Sequence, residues 1–428
     1  MNLPIIWPDL PRQRFECRSC TNCCRELVVH LTRADRAKID KQKWGGRIEG
    51  EPYLRLGSSY VLRHRPGGGC VFLADDGKCR IHAEFGATEK PAACQLYPFT
   101  LEAAPGGVHV ALRFDCPTVA ANGERPIEAR KDDSRRLSGE LQAQSAIVAP
   151  DGDGFVTVAH GVKLPPTETD QFVAHVERWL RTESVPMPKR LYALGRLTST
   201  LHHAKLKQLD ADSAKELVVM LAAGIRELAE DSWDARHEAP SRREMRVLRQ
   251  TVFSHCEHVT FEQIVSPLWT SLRFRLNQLN RARAMSAGVG AMPMLPGVIG
   301  TPAFDAIERV VPDASLSEKE VDGLLLRYLL ARFEGRSVFG PGYYGFSIVE
   351  GVAALQLSIA CIGWLARSLA AARTTFNQND VERAIGLIDR ATNRVPELGA
   401  KSARLRLTYL LDRDGLGRLV SRYVPAAT

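Results

Sequence analysis

Four of the chain's ten cysteines fall within eight residues: Cys17, Cys20, Cys23 and Cys24, in the stretch FECRSCTNCC. The spacing is C-x2-C-x2-C-C. Two residues between cysteines let two thiolates face one metal from a tight turn, and a second such step adds a third ligand without a long loop closure. Cys70, Cys79, Cys94 and Cys116 follow at wider intervals and are placed to close the shell. Thiolate-rich sites suit zinc and iron–sulfur clusters, because soft sulfur donors satisfy both. Neighbouring side chains diverge, so Cys23 and Cys24 are not expected to serve one mononuclear ion together. The eight residues can fill two four-ligand sites, or one site with spares. A [4Fe–4S] cluster is the preferred occupant and zinc the alternative. Buried structural thiols or disulfides are the plain competing explanation, but a chain this long does not need staples to hold a core.

Positioning eight thiols requires a loop-rich scaffold, and the composition shifts accordingly near residue 135. Before it lie eight cysteines, many glycines and short β-like runs; after it come long amphipathic patterns with only Cys256 and Cys361. The expected fold class is α+β. A small cysteine-rich metal-binding domain with short strands spans 1–135, and a larger, mostly α-helical domain spans 136–428. In the first part, 25–32 and 106–114 read as strands, and LTRADRAKID as a helix with Thr32 at its N-cap and Asp35 at N3. Residues 65–82 read as loop, short strand, a turn at Asp76-Gly77 and a second strand; 145–162 reads as a linking hairpin. Helices are expected at 168–183, 188–206, 211–231, 241–256, 260–284, 317–334, 346–373, 379–392 and 400–412. The Gly/Pro/Met-rich stretch 286–303 is expected as a loop or lid.

Taken in order, FECRSCTNCC, GGGCVFLADDGKCRIH, KPAACQLYPF and RFDC resemble the CxxCxxCC cysteine-cluster family, described as a zinc- or iron-chelating domain. The likeness covers roughly residues 14–120. Lys90 stands where that family often has arginine, which keeps the charge but loses the bidentate fork. One branch of the family, the flagellin lysine-N-methylases, joins such a domain to a long helical region and transfers methyl from S-adenosylmethionine to lysine. The layout here is similar. That resemblance implies a protein-lysine N-methyltransferase using S-adenosylmethionine, with a protein substrate such as flagellin. The alternative is a non-enzymatic metal-binding or electron-transfer module carried on a helical partner-binding scaffold.

Tyr97, Pro98 and Phe99 are expected to wall the metal site. His82 reads as a hydrogen-bonding neighbour of the site more readily than as a ligand. His255 to His258, and His202–His203, lack the i, i+4 pairing of a helical zinc site and read as surface or core histidines. Cys256 and Cys361 read as packed thiols. GPGYYGF (340–346) is an aromatic edge for a ligand or, more simply, a loop packed on the body. The C-x3-C-x2-C spacing of radical S-adenosylmethionine enzymes is broken at Leu27, and no phosphate-binding loop is evident.

Net charge is +8 with a pI near 9.0. The basic stretch 241–283 is interleaved with Leu, Val, Phe and Trp and reads as a solvated helix face, so nucleic acid is not the expected partner. Residues 348–366 form the one apolar run near spanning length. Glu350 and Gln356 within it favour a buried core helix over a transmembrane segment. With no basic, then apolar, leader at the start, a cytoplasmic location is expected.

Overall fold

A computed structural model describes residues 3–104, 106–143, 154–230, 238–257, 261 and 272–425. Short strands occupy the N-terminal part, and helices dominate from Pro166 onward. The fold is the α+β arrangement expected.

The first sheet has the order β1 (Ile5–Ile6), β6 (Gly107–Leu112), β5 (Phe99–Ala104). β1 lies parallel to β6, and β5 and β6 form an antiparallel hairpin. Every residue of β6 is buried, because the strand is central and the helix Glu318–Glu334 packs against it. His109 is buried there within bonding distance of the Glu334 carbonyl, at 3.2 Å. Gly107 is required at its position: a Cβ there would stand 2.4 Å from the Pro4 carbonyl oxygen.

The second sheet, β2 (His30–Leu31), β4 (Ser59–Leu62) and β3 (Tyr53–Leu56), is small and antiparallel. It covers a satellite core of Ile39, Trp44, Leu62, Val71, Phe72 and Ile81. The helix Arg33–Lys41 packs beside it and starts with the expected capping box, in which Thr32 and Asp35 cap one another's backbone. Two local expectations fail. Residues 25–32 are mostly not strand: Arg25 and Glu26 end the helix Asn22–Glu26, and only His30–Leu31 pairs. The second strand expected in 65–82 is instead the helix Arg80–Phe85, and only isolated bridges, His64–Cys70 and Leu73–Cys79, remain. In both places backbone pairing gives way to the turns that present cysteines.

The helical body is built around Ile348–Ala370, a helix whose 18-residue apolar window is 89% buried. It is long and apolar enough to span a membrane, and the burial identifies it as the expected core helix. Ser347 and Glu350 form its capping box. Two glycines admit neighbours that no side chain could tolerate. A Cβ on Gly351 would meet the Val338 carbonyl at 1.8 Å, and one on Gly363 would meet that of Tyr423 at 1.5 Å. The helices Gln378–Ala391 and Gly415–Tyr423 pack along it. The expected helices appear at Pro166–Leu180, Met187–His203, Arg242–Cys256 and Lys401–Asp412, each within a few residues of the sequence bounds. The one expected at 211–231 stops at Ala223, capped by Gly224, and a separate short helix follows at Glu227–Glu230. Helix 260–284 is described only as Leu272–Ala287. The linking hairpin lies later than expected, as β7 (Val156–Ala159) and β8 (Val162–Leu164). His160 and Gly161, both at positive φ, form its turn; residues 144–153 lie outside the described part. The helices Lys131–Ala143, Phe304–Arg309 and Gly415–Tyr423 were not anticipated.

His255 is buried in this body, where its Nδ1–H donates to the Ile388 carbonyl at 3.0 Å. Burial pulls its pKa down to about 4, and the Arg332 cation adds to the fall. The unfolded chain protonates this side chain near 6.5, so it binds more protons than the folded chain between those values. Stability should therefore drop as pH falls from about 6.5 to about 4, by up to about 3 kcal/mol. Urea unfolding of His255→Asn, which keeps a donor but cannot protonate, should lack this component of the acid loss. Parallel pH curves for the two proteins would show that His255 is not the cause.

Candidate metal centre

The eight N-terminal cysteines sit at the ends of short elements, where the backbone turns. Cys17 and Cys20 are exposed on a loop bent by positive φ at Ser19 and Thr21. That loop leads into the helix Asn22–Glu26, which carries Cys23 and Cys24. The Cys70 N–H donates to the Cys24 carbonyl at 2.7 Å, tying the second cysteine segment to the first. Cys79 immediately precedes the helix Arg80–Phe85, and Cys94 lies in the helix Ala92–Leu96. Asp35 Oδ1 accepts the Ala92 N–H at 2.9 Å, so the carboxylate that caps one helix also seats the helix of Cys94. Cys116 precedes the helix Pro117–Ala120 and is buried in the main core. Cys70, Cys79 and Cys94 pack against the satellite core. The thiols thus lie at the seam between the two cores.

The electrostatics identify which thiols are neighbours. Cys23 is raised far above an ordinary thiol by its contact with Cys24, at 4.0 Å between sulfurs, and then by burial; the Lys90 ammonium opposes the rise. Burial pushes Cys70 up to about 12, with the Cys79 and Cys23 sulfurs adding to it, while the Phe72 N–H and Arg65 pull it down. Cys94 is raised by burial and by Cys70, Cys79 and Cys23, with Lys90 again opposing. Cys116 is raised by burial and by Cys20 and Cys23, while the N–H groups of Val119 and Thr118 donate to its sulfur and moderate the rise. Cys23 is common to every one of these sets. Lys90 and Arg65 bring positive charge to the thiols, as an anionic sulfur-ligated centre requires, and backbone N–H groups aimed at sulfur are a known means of stabilising thiolates.

The spacing of the sulfurs bears on what would fit. Around one tetrahedral zinc, with Zn–S near 2.3 Å, ligand sulfurs lie about 3.8 Å apart. The described residues contain no trio of cysteine sulfurs within 4.8 Å of one another. A four-iron cluster spreads its thiolates more widely, since each binds a different iron. The donor set fits a sulfur-ligated zinc or iron centre.

The far side of the site is a charged seam. Tyr97 O–H donates to Asp115 Oδ1 at 3.1 Å, and Arg113 Nε donates to the same oxygen at 3.0 Å, while its Nη2 donates to Oδ2. Burial, and then Cys116, raise the Tyr97 phenol well above its ordinary range. Asp389, from the helix Gln378–Ala391, accepts the Phe114 N–H at 2.7 Å and the Asp115 N–H at 3.3 Å. Arg390 pairs with Glu26 at 3.0 Å. Both ends of the cysteine segment are thereby fastened to the helical body. Arg113 and Asp115 lie within the RFDC segment, but Asp389 carries no motif and meets that segment from more than 270 residues away, so the seam is not legible in the sequence.

Tyr97 does flank the site, but Phe99 points into the main core against Trp7 and Phe15. His82 is exposed in the helix Arg80–Phe85. Cys256 and Cys361 are buried in the body, as expected. The GPGYYGF loop packs inward: Tyr343 is buried, and Tyr344 O–H donates to the Ala391 carbonyl at 3.2 Å. A cavity of about 30 Å³ beside Tyr343, lined also by Thr251, His255 and Ser358, has room for one water molecule and not for S-adenosylmethionine.

Residues 16–119 match the family model CxxCxxCC, "Putative zinc- or iron-chelating domain". No curated protein and no solved structure matches the chain. The N-terminal region is therefore similar to the cysteine-cluster domains described as zinc- or iron-chelating.

Proposed function

We propose that the cysteines hold a [4Fe–4S] cluster and that the chain is a protein-lysine N-methyltransferase using S-adenosylmethionine. The observation that carries the cluster is the all-sulfur donor set, with Cys70, Cys94 and Cys116 all drawn to Cys23. Cys23, Cys70, Cys79 and Cys94 are its ligands. When bound, such a cluster supplies an electron-transfer or Lewis-acidic iron centre; around it Lys90 and Arg65 offset negative charge, and Tyr97 shields one side from water. The methyl-transfer reading rests on layout, a cysteine domain fastened to a long helical body, resembling the flagellin lysine-N-methylases. The second reading is a metal-binding or electron-transfer module without methyl transfer, which needs only the cysteine site and the helical scaffold.

The test is anaerobic purification with metal and sulfide analysis, followed by equilibrium dialysis against labelled S-adenosylmethionine. About four iron and four sulfide per chain are expected, together with cofactor binding and label transfer to lysine of a protein acceptor. Stoichiometric zinc without sulfide would overturn the cluster. An intact cluster with no cofactor binding would leave the module reading in place of the enzyme.

A further inference from the structure

We propose that the helical body carries a second, separate divalent metal site, formed by His202, His203 and Asp412. Their ligand atoms all lie within 4.8 Å of one another. The site joins two helices distant in sequence. His202 and His203 are the last residues of Met187–His203, and Asp412 is the last of Lys401–Asp412.

The tautomers favour a cation. His203 Nδ1 lies 2.9 Å from the Ser199 carbonyl oxygen, which can only accept, so this nitrogen carries the proton. In the neutral ring Nε2 is then a bare lone pair, and it faces Asp412 Oδ1 at 4.0 Å. Two acceptors this close are stabilised by positive charge between them, supplied by a second ring proton or by a bound cation. His202 Nε2 reaches the same oxygen at 2.8 Å, and an entering ion takes the place of the proton there. A ring N–H held by a backbone carbonyl is also the usual means of orienting a metal-binding imidazole. Behind the site, His160 Nε2–H donates to the His202 carbonyl at 2.7 Å, which fixes the end of that helix against the β7–β8 turn.

Two further features agree. Both contributing helices end at the site, so their C-terminal partial negative charges favour a cation. Ligand atoms around an ion with bonds near 2.1 Å lie roughly 3.4 Å apart, between the two separations observed, so small side-chain rotations complete the shell. Two imidazoles and a carboxylate suit a first-row divalent ion such as Zn²⁺. His203 and Asp412 are more than half exposed, at 55% and 52%, so the remaining coordination position opens to solvent. Sequence reading dismissed these histidines for want of i, i+4 spacing; the third ligand lies 210 residues away.

The test uses the full chain with its cysteine site already filled and its metal content measured. Zn²⁺ is titrated calorimetrically, and Co²⁺ by absorbance, into the native chain, His203→Ala and Asp412→Ala. The native protein should take up one ion per chain more than either variant, or bind it at least tenfold more tightly. Bound Co²⁺ should show weak visible bands without the intense thiolate charge-transfer absorption. Equal uptake by all three proteins would overturn the site and leave an ordinary histidine–carboxylate ion pair. So would thiolate charge transfer from the extra ion. Unchanged far-ultraviolet circular dichroism in the variants guards against misfolding, since both replaced side chains are surface-facing.

Discussion

Cys23→Ser should strip the metal from the protein, lowering its content at least tenfold, whereas Cys17→Ser should retain most of it. Cys23 is the sulfur common to the two groups of neighbours, Cys70 and Cys94 on one side and Cys116 on the other. Cys17 is exposed at the edge. The consequence should be local unfolding as well as lost metal. The satellite core has only six buried apolar residues, too few to order the surrounding loops without help. Metal binding in small cysteine domains supplies on the order of 10 kcal/mol. Hydrogen exchange should therefore quicken across residues 28–90 in Cys23→Ser, while Ile348–Ala370 keeps its protection. Native metal content in Cys23→Ser would remove it from the ligand set. Unchanged exchange after metal loss would show that the satellite core stands by itself.

Asp389→Ala should destabilise the fold by about 3–5 kcal/mol in urea unfolding. Its Oδ2 accepts the backbone N–H groups of Phe114 and Asp115, in the turn between β6 and Cys116. Its Oδ1 faces buried Arg332 at 3.7 Å. Removing the carboxylate orphans two buried donors and leaves Arg332 and Arg113 short of a counter-charge. Burial, the largest influence on Asp389, raises its pKa and so disfavours the charge, while Arg332 and Arg113 favour it. Asp389→Asn, which keeps an acceptor, should cost less than the alanine variant. Because Asp115 adjoins Cys116, both variants should also alter the absorption of the bound metal. A loss below about 1 kcal/mol for the alanine variant would mean that water or a neighbouring side chain replaces the carboxylate, and that the seam does not fasten the two cores.

Much of this protein is written locally. The C-x2-C-x2-C-C run states a sulfur-bound metal by itself, because close spacing of soft donors has few other uses. The helices of the body were legible because an apolar residue every three or four positions specifies a helix with one buried face. The capping box at Thr32 is likewise contained in four consecutive residues. Failures occurred where local preference was overridden. The β-branched run after Cys24 would suit a strand, but the turn that aims Cys23 and Cys24 uses up its beginning. Arg80 to Phe85 likewise turns into a helix directly behind Cys79.

The sequence by itself determined that a thiol-rich domain precedes a helical body, and where most of the helices run. Only the tertiary structure decided which thiols are neighbours, that Asp389 holds the turn leading to Cys116, and that Asp412 meets His202 and His203. The reason is one of range. Periodicity and spacing act over a few residues of backbone, where geometry is set by the chain itself. Side chains from positions more than 200 residues apart meet only when the packed core fixes the relative placement of their elements, and no local pattern records that.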